Sequence, residues 1–233
     1  TGWRMQDRDA LQHPELHHVL RMADVLSPWS VGRFGDLPGV QRHAEKYWEQ
    51  DVVWAREHDI DYMPVVFPGF SWHNLKGAKL ASIPRLDGQF LWSQVVANKK
   101  AGADMLYIAM FDEVDEGTAI FKCTNNPPTS GGSKFLTLDG LPSDFYLRLV
   151  GEAGKLFRDE IPLTETVSSA IQQSSSAKPA IKAIDTDSID LTQPTLFIVP
   201  YSHLDDIWRW SYPQTIRDFL RNTLDDNFAT FEG

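Results

Sequence analysis

Four acids fall within five residues, Asp112, Glu113, Asp115 and Glu116, directly after the apolar run Met105 to Phe111. Carboxylates this crowded repel one another, which can hold one carboxyl protonated while its neighbour stays ionised. A protonated acid beside an ionised one is what cleavage of a glycosidic bond needs. The ordinary alternative is a solvated acidic turn. The acids do not follow the alternating spacing of an EF-hand-type loop, which argues against a calcium site of that kind. A second constellation is His203 and Asp205, two residues apart after the apolar run Thr195 to Val199. That spacing puts both side chains on one face of an extended chain. An imidazole and a carboxylate so placed can be two ligands of a zinc-like ion, or a hydrogen-bonded couple that binds nothing.

Both constellations need elements to position them. Met105 to Phe111 has no polar alternation and reads as a parallel strand covered on both faces, with the acids at its carboxyl end. Asp24 to Val31 and Tyr62 to Phe67 read as two earlier strands. Gln41 to His58 carries apolar residues at 44, 47, 48, 52 and 55, a helical stripe. Phe90 to Ala101 reads as a helix closed by Gly102, and Asp144 to Asp159 as another with Ser143 as its N-cap. Strand and helix therefore alternate over residues 1–161, which predicts an α/β fold, either a (β/α) barrel or an open doubly wound sheet. In a barrel the carboxyl ends of the strands carry the chemistry. Phe67-Pro-Gly-Phe-Ser-Trp72-His73-Asn74 would then share a face with the acids. Trp72 is a candidate sugar platform there, and His73 and Asn74 candidate hydroxyl partners; in the alternative they only cap the barrel. Trp29 and Arg33 end an earlier strand, with a loop-tying role favoured for them.

From Pro162 to Pro194 the sequence turns polar and small, without an apolar stripe, and is expected to be a linker. A strand at Thr195 to Val199 and a helix after Pro213 then open a second α/β domain over residues 195–233. The chain has 233 residues, 42% of them hydrophobic, and this suits a folded core. Its formal charge of −10 argues against nucleic acid and anionic membrane surfaces as partners. No stretch approaches the roughly twenty apolar residues of a membrane helix. The single cysteine, Cys123, rules out an intrachain disulfide.

Phe111-Asp-Glu-Val-Asp-Glu-Gly-Thr118 resembles the strand-end motif of glycoside hydrolase family 99, Phe-Asn-Glu-Trp-His-Glu-Gly-Thr. The segment from Tyr62 through Thr118 is similar to proteins of the wider family 71/99-like barrel group. The resemblance spans residues 1–161 and implies the C-terminal half of a (β/α)8 TIM-type barrel. It implies Glu116 as general acid/base and Glu113 as the group assisting the 2-hydroxyl of an α-mannoside, with no cofactor. Asp112, Val114 and Asp115 depart from the motif, and this bears on the substrate. Asp112 and Asp115 join Trp72, His73 and Asn74 as candidate substrate-binding residues.

Leu196 to Ile216 is similar to the opening strand and loop of family 38 α-mannosidases. That likeness implies zinc ligation by His203 and Asp205 and packing of Trp208 against sugar. The remaining ligands of that family lie beyond the forty or so residues that match, so a zinc site would need a completed second domain. The whole is expected to be a fragment of a longer parent polypeptide, periplasmic or secreted, acting on glycans. Half a barrel leaves strand edges open, so the isolated polypeptide is expected to associate and to be inactive. Two other readings are kept: a non-catalytic glycan-binding protein on a degenerate barrel, and an unrelated barrel hydrolase whose acids bind a metal.

Overall fold

The computed structural model describes residues 2–127 and 133–172. In chain order these form α1 (Leu16–Leu20), β1 (Val25–Leu26), α2 (Leu37–His43), a wide π turn (Ala44–Trp48) and α3 (Glu49–Glu57). Next come β2 (Asp61–Tyr62), β3 (Val65–Val66), α4 (His73–Lys76), α5 (Gln89–Ala101) and β4 (Tyr107–Ile108). α6 (Phe145–Phe157) and α7 (Ser169–Gln172) close the described part.

β1 pairs parallel with β2, and β3 pairs parallel with β4. The ladders reach slightly further than the strands. Asp61 N–H donates to Asp24 O, and Met63 N–H to Leu26 O, both at 2.9 Å. Tyr107 and Ala109 donate to Pro64 O and Val66 O at 3.0 and 2.9 Å. The stretch Asp61–Val66 is thus bonded first to β1 and then, past Pro64, to β4. Strand order follows chain order, with α2–α3 and α5 as the two crossovers. α5 packs beside α2, α3 and α6. Parallel strands in sequential order with neighbouring crossover helices form a barrel wall or one half of a doubly wound sheet.

Val65 and Val66 point to opposite sides, and each is fully buried. Val65 lies in a cluster with Phe34, Trp48, Phe67 and Phe90, whereas Val66 packs with Leu91, Val95, Phe145 and Leu149. β3 is therefore covered on both faces, as its unbroken apolar sequence predicts. The Met105–Phe111 run differs from expectation. Only Ala109 within it is fully buried, and Phe111 is 59% exposed. The physical reason is that β4 has a paired strand on one side only among the described residues.

Helix ends also refine the sequence reading. α5 stops at Gly102 in the left-handed conformation, as expected. α2 starts four residues before the expected Gln41, because the Asp36 carboxylate accepts the Gly39 N–H at 2.6 Å. Proline is tolerated in that first turn, where its N–H would have no partner. At α6 the N-cap is Asp144, not Ser143, and its carboxylate takes Arg148 Nε at 3.2 Å instead of a backbone amide. The first residues of the expected linker run along α5. Trp92 Nε1 donates to Thr164 O at 2.8 Å, and Gln89 bonds both Glu165 O and Val167 N. Ser169–Gln172 then forms α7 against α6 with Ile171 buried, so the start of the expected linker is packed because Ile171 finds an apolar face there. Linker residues 173–194, the expected strand at 195–199 and the helix after Pro213 lie outside the described residues, as do His203, Asp205 and Trp208.

Candidate active site

Residues Met110 to Ile120 form a loop that leaves and returns at the end of β4. Met110 N–H donates to Thr118 O at 3.2 Å, and Ile120 N–H returns to Met110 O at 3.1 Å. Within the loop, Glu113 O gathers the amides of Thr118 and Ala119 at 3.0 and 2.9 Å. Gly117 N–H closes a turn onto Val114 O at 3.1 Å. Gly117 has φ +68°, and a Cβ there would come within 2.5 Å of Leu136. A side chain at this turn is therefore strained. Asp112 is exposed, whereas Glu113, Asp115 and Glu116 are half-buried.

The loop after β3 is fastened to this acidic loop. Ser71 N–H donates to Glu116 O at 2.7 Å. Asn74 Nδ2 donates to Asp115 Oδ1 at 2.8 Å and to Lys134 O at 3.1 Å, while Asn74 Oδ1 accepts Lys134 N–H at 3.0 Å. Trp72 is half-buried, with its ring 4.3 Å from that of Phe70 and its edge against Gly32. His73 Nδ1 lies 2.7 Å from Ala78 O. The structure thus brings Trp72, His73, Asn74, Asp115 and Glu116 onto two adjoining loops. Asn74 is spent on loop-to-loop bonds, and one ring nitrogen of His73 faces a backbone oxygen. On the strand before, Trp29 stands 47% exposed and Arg33 pairs with Asp9 at 2.6 Å, the loop-tying role expected of it.

Two positioning residues escaped the sequence analysis. Arg85 is buried, and its guanidinium caps the acidic loop from behind. Nε and Nη2 donate to Gly117 O at 3.2 and 2.7 Å, and Nη2 also reaches Ala119 O at 3.1 Å. The same group lies 4.7 Å from the Tyr146 ring centre, a cation–π distance. Burial pushes the Tyr146 hydroxyl up to about 12, with Arg85 opposing. Gln94 on α5 acts as a substitute strand. Its Oε1 accepts Phe67 N–H at 3.1 Å and its Nε2 donates to Phe67 O at 2.8 Å, which satisfies the backbone where β3 ends. Neither residue carries a motif. The one available signal was a polar Gln within the apolar stripe of α5.

Among the described residues, no cluster of three or more His, Cys, Asp or Glu side chains stands where it could hold a metal ion. No helix there is long and apolar enough to cross a membrane.

No protein-family model and no curated protein matches the sequence. Among solved structures, the chain is similar to the GH99 endo-α-mannosidase of Bacteroides thetaiotaomicron in two determinations. With bis-tris-propane bound, the match has 24% identity and a TM-score of 0.43, covering 48% of this chain and 35% of the enzyme. The other has 21% identity and a TM-score of 0.48, covering 58% and 39%. The chain spans about two-fifths of that enzyme's length or less.

Proposed function

We propose that this chain carries the catalytic acids of a glycoside hydrolase acting on α-linked glycans, α-mannosides foremost. The observation that carries the reading is the fastening of the aromatic loop after β3 to the acidic loop after β4, through Ser71 to Glu116 and Asn74 to Asp115. It sets two half-buried glutamates of a glycosidase-like motif beside an aromatic loop at adjoining strand ends.

In this reading Glu113 accepts the proton of the substrate's 2-hydroxyl as that oxygen bonds to the anomeric carbon. Glu116 gives its proton to the departing glycosidic oxygen as the carbon–oxygen bond breaks. Water then attacks the same carbon, breaking its bond to the 2-oxygen, and loses a proton to Glu116. The 2-oxygen retakes its proton from Glu113, so both residues return to their starting states. Trp72 supplies apolar surface for a sugar face.

The test is turnover by the full chain of α-mannosides with poor and good leaving groups. Glu116→Gln should slow release of a poor leaving group by about 10²- to 10⁴-fold and spare the first release of fluoride from α-mannosyl fluoride, which needs no proton, while the water step slows for both. Equal loss in leaving-group release on both substrates, or loss on neither, would refute the role of Glu116. A wild type that binds mannosides and cleaves none is a glycan-binding protein instead.

A further inference from the structure

The turn after β1 meets the aromatic loop at a glycine. Gly32 has φ +77°, a backbone region that glycine enters at little cost. A Cβ there would stand 3.1 Å from Trp72 Cζ2 and 3.3 Å from Cη2. Both distances fall inside ordinary carbon–carbon contact, about 3.5–4.0 Å. The six-membered ring of the indole therefore occupies the room that a side chain at residue 32 would need.

The turn and Phe70, which flank the indole, are each fixed. Ser30 is fully buried, and its Oγ donates to Val65 O at 2.5 Å, which stitches the turn to β3. Arg33 N–H closes the turn onto Ser30 O at 3.0 Å, and the Arg33–Asp9 pair ties it to the segment before α1. The Phe70 ring lies 4.3 Å from that of Trp72, tilted by 43°, and is buried. Phe70 and Ile83 exchange both backbone hydrogen bonds, at 3.0 and 2.9 Å. Bare backbone confines the indole at one edge, and an anchored ring confines it on another side.

We propose that Gly32 is a positioning residue that acts through Trp72: its missing side chain sets where the indole lies. The proposal rests on the glycosidase reading for what Trp72 does with a sugar. Trp72 directly follows Ser71, whose N–H donates to Glu116 O at 2.7 Å. The end of β1 therefore registers the indole, and the indole's own loop is registered on the acidic loop. With a larger residue at position 32, the stitched turn and Phe70 hold, and the indole gives way by a few tenths of an ångström. A surface so displaced meets the sugar less well in ground and transition state alike, which costs binding and spares the chemical step.

The test crosses Gly32→Ala with Trp72→Phe in the full chain, since phenylalanine lacks the ring atoms that meet residue 32. Gly32→Asn repeats the Cβ contact in a residue that tolerates positive φ better, should the alanine variant fold poorly. Chains carrying fluorotryptophan report on Trp72 by fluorine NMR, its resonance being the one that Trp72→Phe deletes. Gly32→Ala should move that resonance with no sugar present. With an aryl α-mannoside it should raise KM about two- to tenfold, the range of one aromatic contact, and leave kcat little changed. In the Trp72→Phe background the same substitution should leave KM where it was, although the strain of alanine at positive φ still lowers stability there. An unmoved Trp72 resonance, or an equal rise in KM in both backgrounds, would overturn the positioning role while mannoside turnover by the wild type kept the glycosidase reading. A moved resonance in a chain whose wild type cleaves no mannoside would uphold Gly32 as the residue that places Trp72 and sink the glycosidase reading.

Discussion

Replacing Arg85 by methionine tests whether the acidic loop is held from behind. Methionine keeps much of the stem's packing volume and removes every donor. Two buried carbonyls, Gly117 O and Ala119 O, then lose a charged partner that reaches them at 2.7 and 3.1 Å. Hydrogen bonds to charged groups contribute about 1.5–3 kcal/mol each. The contact with the Tyr146 ring adds about 1 kcal/mol more. Part of the loss is offset because an arginine buried at 9% exposure is itself costly to desolvate. A net destabilisation of about 3–5 kcal/mol is expected, which is large against the 5–15 kcal/mol of an ordinary domain. Urea unfolding at neutral pH reads it as a lowered midpoint with an unchanged slope. Arg85→Lys should fall between, since one ammonium cannot span two carbonyls as the planar fork does. In the turnover assay, Arg85→Lys should lower kcat more than it raises KM, because the displaced turn carries Glu116. A methionine variant within about 1 kcal/mol of wild type would show that the clamp does not bear on the loop's stability, and the positioning role assigned to Arg85 would fall with it.

Two further perturbations probe the packing that presents the site. Gly88→Ala puts a Cβ at 2.7 Å from the Phe145 ring and 2.8 Å from Leu149, at a residue with φ +85°. A loss of about 2–4 kcal/mol should appear in urea unfolding, and a loss below about 1 kcal/mol would mean that α6 shifts freely away from α5. His43 is buried among Phe34, Tyr47 and Trp48, and burial, followed by the charges of Arg8 and Arg33, lowers it to about 3 from 6.5. Because the unfolded chain takes up a proton first, the stability is complete above pH 6.5 and is lost as pH falls towards 3, by about 2 kcal/mol at pH 5. His43→Phe should remove this slope between pH 7 and pH 5 in urea titrations; an identical slope in the variant would contradict it. Asp51, raised by burial, works in the opposite direction at lower pH in both proteins and cancels in the comparison.

How much of this was legible in the sequence depended on the range of the forces involved. The unbroken apolar run at Val65-Val66 announced a strand buried on both faces, because alternate side chains must each find a core. Gly102 announced the end of α5, because its reason is local. The start of α2 was hidden, since Leu37-Pro38-Gly39 reads as loop until the Asp36 cap is counted. The exposure of β4 was hidden for a different reason. Burial of a strand depends on its neighbours, and Met105 to Phe111 carries no record of which side is paired. Arg85 and Gln94 lay furthest from view. Their partners are backbone atoms 32 to 34 and 27 residues away respectively, and a backbone carbonyl has no residue type to recognise.

The acidic loop shows how structure narrows what a cluster of like residues can do. Four carboxylates are equivalent on paper, yet they meet different surroundings. Asp112 stands in water, where a charge is readily solvated and does little to its neighbours. Asp115 is held by Asn74 and so helps fasten the loops. Glu113 and Glu116 are left as the other half-buried pair, and the main chain of each helps anchor the turn. Glu113 O collects the amides of Thr118 and Ala119, and Glu116 O accepts Ser71 N–H. Backbone anchoring at both residues fixes where each side chain begins. In the mechanism proposed above the two act on one bond and need that constraint, because a displacement of about 1 Å in such a pair can cost a hundredfold in rate.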